Sequence, residues 1–157
     1  MSTYSQHSDG SGVAISSRLR PILNMRPKYR HWLSPSLWQL NADLHLTDWL
    51  EEKNFDFDVV TDEDLHLEGV ELLNRYKCVL TGSHPEYSSE KMLAAYEQYQ
   101  LNGGRWIYLG SDGFYWISEY HPDNPNIIEV RKGEAGTRAW TANPVSYTHL
   151  TLPTIVS

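Results

Sequence analysis

Residues 78–109 read CVLTGSHPEYSSEKMLAAYEQYQLNGGRWIYL, and three elements can be parsed from them. Cys78-Val79-Leu80-Thr81 is a short apolar run closed by Gly82, the pattern of a buried strand. Ser88 or Ser89 offers an N-cap hydroxyl to a helix over 89–101, and Gly103-Gly104 stops that helix through left-handed backbone geometry. Arg105-Trp106-Ile107-Tyr108-Leu109 returns as a strand. Strand, helix and strand in succession form a βαβ unit with parallel strands and a right-handed crossover.

The same alternation extends outward on both sides. Upstream, Ser34-Pro35 opens a helix over about 36–53, with Leu37, Leu40, Leu44 and Trp49 at near-helical spacing. Asp58-Val59-Val60-Thr61 reads as a strand, and the helix after it turns Leu65, Val70, Leu72 and Leu73 inward. A short strand is expected at 21–25 and a fifth at Ile127-Ile128-Glu129-Val130. The expected class is therefore α/β, doubly wound, with a mostly parallel sheet. Residues 1–20, rich in Ser and Gly around Asp9-Gly10-Ser11-Gly12, read as a sharply turning loop. A domain more naturally opens on a strand, so further residues are expected upstream. Residues 145–157 carry neither helical period nor charge and resemble translated adaptor sequence. They are expected to add nothing to a domain formed by 1–144.

Composition narrows the function classes. With 157 residues, 40% hydrophobic and 21% charged, the chain suits one soluble core. Six Trp and ten Tyr are many for this length and point to a pocket or an interface. A net charge of −7 argues against nucleic acid or an anionic membrane as partner, since both require clustered Lys and Arg. Acids such as Glu51, Glu52 and the Asp62-Glu63-Asp64 run read as solvated helix faces or a helix start. Cys78 has no cysteine to pair with and suits a buried packing role. No run approaches the ~18 apolar residues of a membrane span, and the start lacks a signal-peptide apolar region. A cytoplasmic setting is expected.

Open parallel sheets bind ligands beyond the carboxyl ends of their strands, which directs attention to the segments after Thr81 and after Leu109. The first is Gly82-Ser83-His84-Pro85-Glu86-Tyr87, an imidazole, a carboxylate and a phenol around a stiffening proline. Alternation of side chains in an extended stretch turns His84 and Glu86 the same way, as a metal ligand and its hydrogen-bond partner require. Two plainer roles compete: His84 bonded to a backbone carbonyl, and Glu86 at the positive end of the next helix. The second segment, Gly110-Ser111-Asp112-Gly113-Phe114-Tyr115-Trp116, turns sharply and crowds aromatics on one edge. Ser111 lacks the Gly-x-Ser-x-Gly setting of a nucleophile. His45 and His66, among leucines, read as partnered edge residues rather than ligands.

Several motifs, taken in order, resemble one family. Leu23-Asn24-Met25-Arg26-Pro27, Thr61-Asp62-Glu63-Asp64-Leu65-His66, Leu80-Thr81-Gly82-Ser83-His84-Pro85-Glu86-Tyr87 and Gly113-Phe114-Tyr115-Trp116 are similar to the large (beta) subunit of N,N-dimethylformamidase and its relatives, as are Ser2-Thr3-Tyr4 and Asp9-Gly10-Ser11-Gly12. The resemblance spans roughly residues 1–144. It implies a glutamine-amidotransferase-like, flavodoxin-like three-layer domain, incomplete here, within a longer subunit that hydrolyses small N-substituted formamides to formate and an amine. It also implies a mononuclear, ferric iron held by two tyrosines and a glutamate. By motif, Tyr4 resembles one tyrosine ligand and Glu86 the glutamate, while His84, Asp112 and Lys132 resemble residues of the catalytic pocket. The other tyrosine and a proton-handling glutamate fall outside this chain, so the chain alone is expected to be inactive. The implied partners are a small amide substrate, the small subunit and further copies of the large one. Relatives carry Asn where Asp112 stands, and the exchange of an amide donor for a negative group bears on substrate choice. The chemistry is coherent: hard trivalent iron prefers anionic oxygens, and a metal ionises a phenol whose ordinary pKa is ~10.

Two other classes of function compete. In one, Phe114, Tyr115 and Trp116 stack on a metabolite or carbohydrate without any metal. In the other, the surplus Trp and Tyr bury a subunit interface.

Overall fold

The computed structural model describes residues 2–30, 35–110 and 112–140. The tail at 145–157 and Ser111 lie outside the described residues, as does Ser34 at the expected opening of the first helix. The described residues form two sheets. A parallel pair joins β2 (Cys78–Leu80) to β4 (Arg105–Ile107), with Val79 opposite Trp106. A four-stranded sheet runs β1 (Ile15–Ser17), β6 (Asn124–Val130), β5 (Trp116–His121) and β3 (Tyr87–Ser88), antiparallel except for the β3–β5 edge. The molecule is thus mixed α/β, with the larger sheet mostly antiparallel.

The βαβ unit over 78–109 is present as expected, and its helix shows why. α4 (Glu90–Leu101) is capped by Ser89, whose hydroxyl accepts from the Met92 N–H at 3.3 Å. Ser88 lies in β3 instead. Met92, Leu93, Tyr96 and Tyr99 recur at helical spacing and are all buried. They meet Leu65 of α2 (Asp62–Glu68), Leu72 and Leu73 of α3 (Val70–Leu73), and Phe114 and Ile117 from the turn into β5. Asp62, Glu63 and Asp64 do open α2, where Thr61 and Asp64 exchange side-chain and backbone hydrogen bonds. Gly69, at φ 63°, divides the single helix expected here into α2 and α3.

Elsewhere the chain departs from the doubly wound, mostly parallel reading. Residues 21–25 are no strand: Pro21 has no N–H to donate, and Met25 N–H closes a turn onto Ile22 C=O. Residues 58–61 join no ladder: Asp58 accepts from the Tyr76 hydroxyl, and Thr61, at the extended end of the segment, caps α2. α1 (Leu40–Glu52) begins four residues later than the spacing predicts, after Gln39 at φ 52°, a value a helix cannot contain. β1, β3 and β5 were not expected. The fifth strand, expected to be parallel, is β6, and it forms a tight antiparallel hairpin with β5 through Pro122-Asp123. Among the described residues, no helix is long and apolar enough to cross a membrane.

Candidate metal and substrate site

The segment after β2 is pinned from three sides. Thr81 Oγ1 accepts from Leu109 N–H at 3.0 Å, which ties the ends of the two parallel strands together. The Asp43 carboxylate of α1 accepts from Ser83 N–H at 2.6 Å, and the indole of Trp38 lies 5.8 Å from the His84 ring. On the far side, Pro85 C=O accepts from Phe114 N–H at 2.8 Å, and Glu86 C=O accepts from both Tyr115 and Trp116 N–H at 3.1 Å. The two segments singled out by the strand-end argument are therefore bonded to each other.

Within this frame His84 Nε2 and Glu86 Oε2 are 3.1 Å apart, and only 15% of each side chain is exposed. Ser89, not Glu86, caps α4, and the His84 ring meets a carboxylate. His66, by contrast, is the partnered edge residue expected, with Nδ1 2.8 Å from Ser89 Oγ.

Tyr4 reaches the same place from the chain start. Residues 2–13 fold back on themselves: Gln6 bridges Gly12, His7 N–H donates to Ser11 C=O, and Gly10 turns at φ 86°. Gly12 lies so close to the turn at Gly133–Ala135 that a Cβ would sit 2.7 Å from Ala135 N. Only glycine permits that approach, and it seats the hairpin beside Lys132. The Lys132 ammonium lies 3.6 Å from the centre of the Tyr4 ring, 4.4 Å from that of Tyr87 and 5.8 Å from that of Trp116. It also donates to the Tyr87 hydroxyl. The hydroxyls of Tyr4 and Tyr87 are 2.7 Å apart. Burial, reinforced by the bond to Tyr4 and the charge of Glu86, pushes the Tyr87 phenol above its ordinary range.

Of the residues expected at the site, Tyr4 meets Lys132 and His84 meets Glu86, and Tyr87, bonded to Tyr4 and Lys132, follows Glu86 in the chain. Asp112 is exposed on the bend after β4, and no hydrogen bond among the described residues joins it to the others. Tyr87 was quoted in a motif but given no role. The signal for it was faint: it follows Glu86 directly, so alternation turns it away from the His84–Glu86 pair and toward its ladder neighbour Trp116. A separate cleft of about 560 Å³, lined by Glu90, Glu119, Tyr120, Glu129 and Arg138, contains none of these residues.

Comparison with known proteins adds the family. A family described as N,N-dimethylformamidase beta subunit-like, C-terminal, matches residues 1–154. The chain belongs to this family. The N,N-dimethylformamidase beta subunits of Alcaligenes sp and Paracoccus aminophilus are each 52% identical to it over 151 residues, 96% of this chain. Those residues make up 20% of either relative, so this dimethylformamidase-family chain spans about a fifth of the length of the curated relatives it matches.

Proposed function

We propose that this chain carries the iron-holding part of an amidohydrolase that cleaves small N-substituted formamides, such as N,N-dimethylformamide, to formate and an amine. The observation that carries the reading is that Tyr4, brought from the chain start, bonds the hydroxyl of Tyr87, the residue next to Glu86 in the chain. The donor set suits iron: a phenol oxygen and a carboxylate are hard ligands, matched to a trivalent cation, with a partly shielded imidazole beside them. Tyr4 and Glu86 would hold the ion. When bound, iron supplies Lewis-acid polarisation of a formyl oxygen and activation of water.

The remaining residues act on that pair. His84, bonded to Glu86 Oε2, fixes how the carboxylate is turned and which imidazole nitrogen bears the proton. Lys132 places a positive charge beside the phenols and limits the accumulation of negative charge from Tyr4 and Glu86. Asp112, exposed at the mouth of the turn, is proposed to meet the amine side of the substrate. Its negative charge favours amides whose nitrogen substituents carry a donor. The wider reading places the chain in a doubly wound, glutamine-amidotransferase-like domain of a longer cytoplasmic subunit, assembled with a small subunit and further copies of itself. That the two relatives are named beta subunits supports such partners.

An aromatic platform for a metabolite or carbohydrate is less well supported. Phe114 is buried among Tyr96, Trp106 and Tyr108, and Trp116 faces Lys132, so only Tyr115 of the three is exposed. Tyr4→Phe is the decisive experiment. It keeps the ring over Lys132 and removes one oxygen, so iron content and the visible absorption of iron-bound tyrosinate are expected to fall together. Full iron with an unchanged spectrum means that Tyr4 is not a ligand.

A further inference from the structure

Resting on that reading, we propose that Tyr87 is a positioning residue whose hydroxyl, anchored by Lys132, holds the oxygen of Tyr4 and orients it. The argument is one of hydrogen-bond direction. A lysine ammonium has only donors, so where Lys132 meets the Tyr87 hydroxyl, the Tyr87 oxygen must accept. Tyr87 then has a single hydrogen to give. Its neighbour on the site side is the Tyr4 oxygen at 2.7 Å. Once Tyr4 presents its oxygen to a cation without a hydrogen, the 2.7 Å contact can persist only if Tyr87 donates along it. That bond takes one lone pair of the Tyr4 oxygen and leaves the others directed toward the ion. Charge-assisted bonds of this kind are the stronger class.

The surroundings are built to hold Tyr87 in place. Its backbone pairs with Trp116 in the β3–β5 ladder, while Ser88 and Ser89, which follow, are 2% and 1% exposed. Tyr4 is the reverse: the residue is 75% exposed on a hairpin. The half-buried phenol, held in a strand, is thus the fixed reference and the exposed one the group that needs orientation. A ligand carried on an exposed hairpin keeps many rotamers unless something restricts it, and the hydroxyl contact with Tyr87 and the Lys132 cation do so.

Tyr87→Phe tests this in the full-length subunit, assembled with its partner subunits and loaded with ferric iron. The ring stays and one oxygen goes, and circular dichroism confirms the fold. A hydrogen bond to a phenolate lowers the energy of the electrons it shares with iron. Losing that bond is therefore expected to move the visible absorption to longer wavelength, and iron affinity is expected to weaken about 10–100-fold. Lys132→Met, which frees Tyr87 to rotate, is expected to shift the band in the same direction by less. An unmoved band and unchanged affinity in Tyr87→Phe, alongside loss of the band in Tyr4→Phe, overturn the positioning role and leave the ligand assignment intact. Complete loss of the band in Tyr87→Phe makes Tyr87 a ligand and also overturns it. A band that survives Tyr4→Phe overturns the ligand reading, and with it any action of Tyr87 through Tyr4.

Discussion

Glu86→Gln is expected to remove iron and amide hydrolysis together, each by more than about 100-fold, because loss of a direct ligand should exceed the 10–100-fold typical of residues that only support one. The substitution is nearly isosteric, so the hydrogen bonds that frame the loop, made by backbone groups, Thr81 and Asp43, remain. What changes is the charge. An amide oxygen is a poor exchange for a carboxylate facing a trivalent ion, and the new NH2 group turns a donor toward the site. His84→Ala is the informative contrast. It leaves both proposed ligands in place and removes only the group 3.1 Å behind Glu86, so much of the iron should remain while the rate falls. Metal analysis alongside formate release separates the two outcomes. A Gln variant that retains full iron removes Glu86 from the ligand set.

Gly104→Ala should be the most damaging change of a single methyl group. A Cβ at this position would overlap the Tyr99 ring, and Tyr99 has no room to move. It is 2% exposed and its hydroxyl donates to Tyr76 C=O at 3.0 Å, with Arg105 C=O at 3.4 Å. Overpacking a fixed core site costs about 3 kcal/mol at the upper end of the usual range. For a chain of this size that lowers the thermal midpoint by about 6–12 °C. Gly103 serves as the control. At φ 87° with nothing within 4 Å of its Cβ position, Gly103→Ala meets only backbone strain, which costs roughly 1–2 kcal/mol. Equal midpoints for the two variants would show that Tyr99 yields and that the packing argument is wrong.

That pair of glycines marks what can be read from a sequence. Both were read as one helix stop, and Gly103 is one: its positive φ is a local property, written in the residue type. Gly104 is there for a side chain five residues earlier, which local pattern does not reveal. The strands divide in the same way. β2 and β4 were legible because a buried parallel strand is a compact apolar run, Cys78-Val79-Leu80 or Trp106-Ile107. β5, Trp116-Ile-Ser-Glu-Tyr-His, mixes polar with apolar residues and exists through its pairing with β6, so it read as loop. Val59 and Val60 misled in the opposite sense: their strand propensity is real, but no neighbouring strand is present among the described residues for them to pair with.

The candidate site shows a similar division. His84 and Glu86, two apart in an extended stretch, were legible as a pair because period-two alternation is a property of the backbone. The first residues read as loop, yet they hold β1 and a hairpin whose seating depends on Gly12 against Ala135, 123 positions away. By itself, then, the sequence determined the βαβ unit, the caps of α2 and α4 and the local geometry of the His84–Glu86 loop, all interactions between residues close along the chain. Only the tertiary structure decided that Tyr4, Tyr87 and Lys132 meet, that Asp112 stays outside their hydrogen bonds, and that the larger sheet is mostly antiparallel. The contacts among Tyr4, Tyr87 and Lys132 join residues 45, 83 and 128 positions apart, and no local period or propensity encodes a partner at that distance.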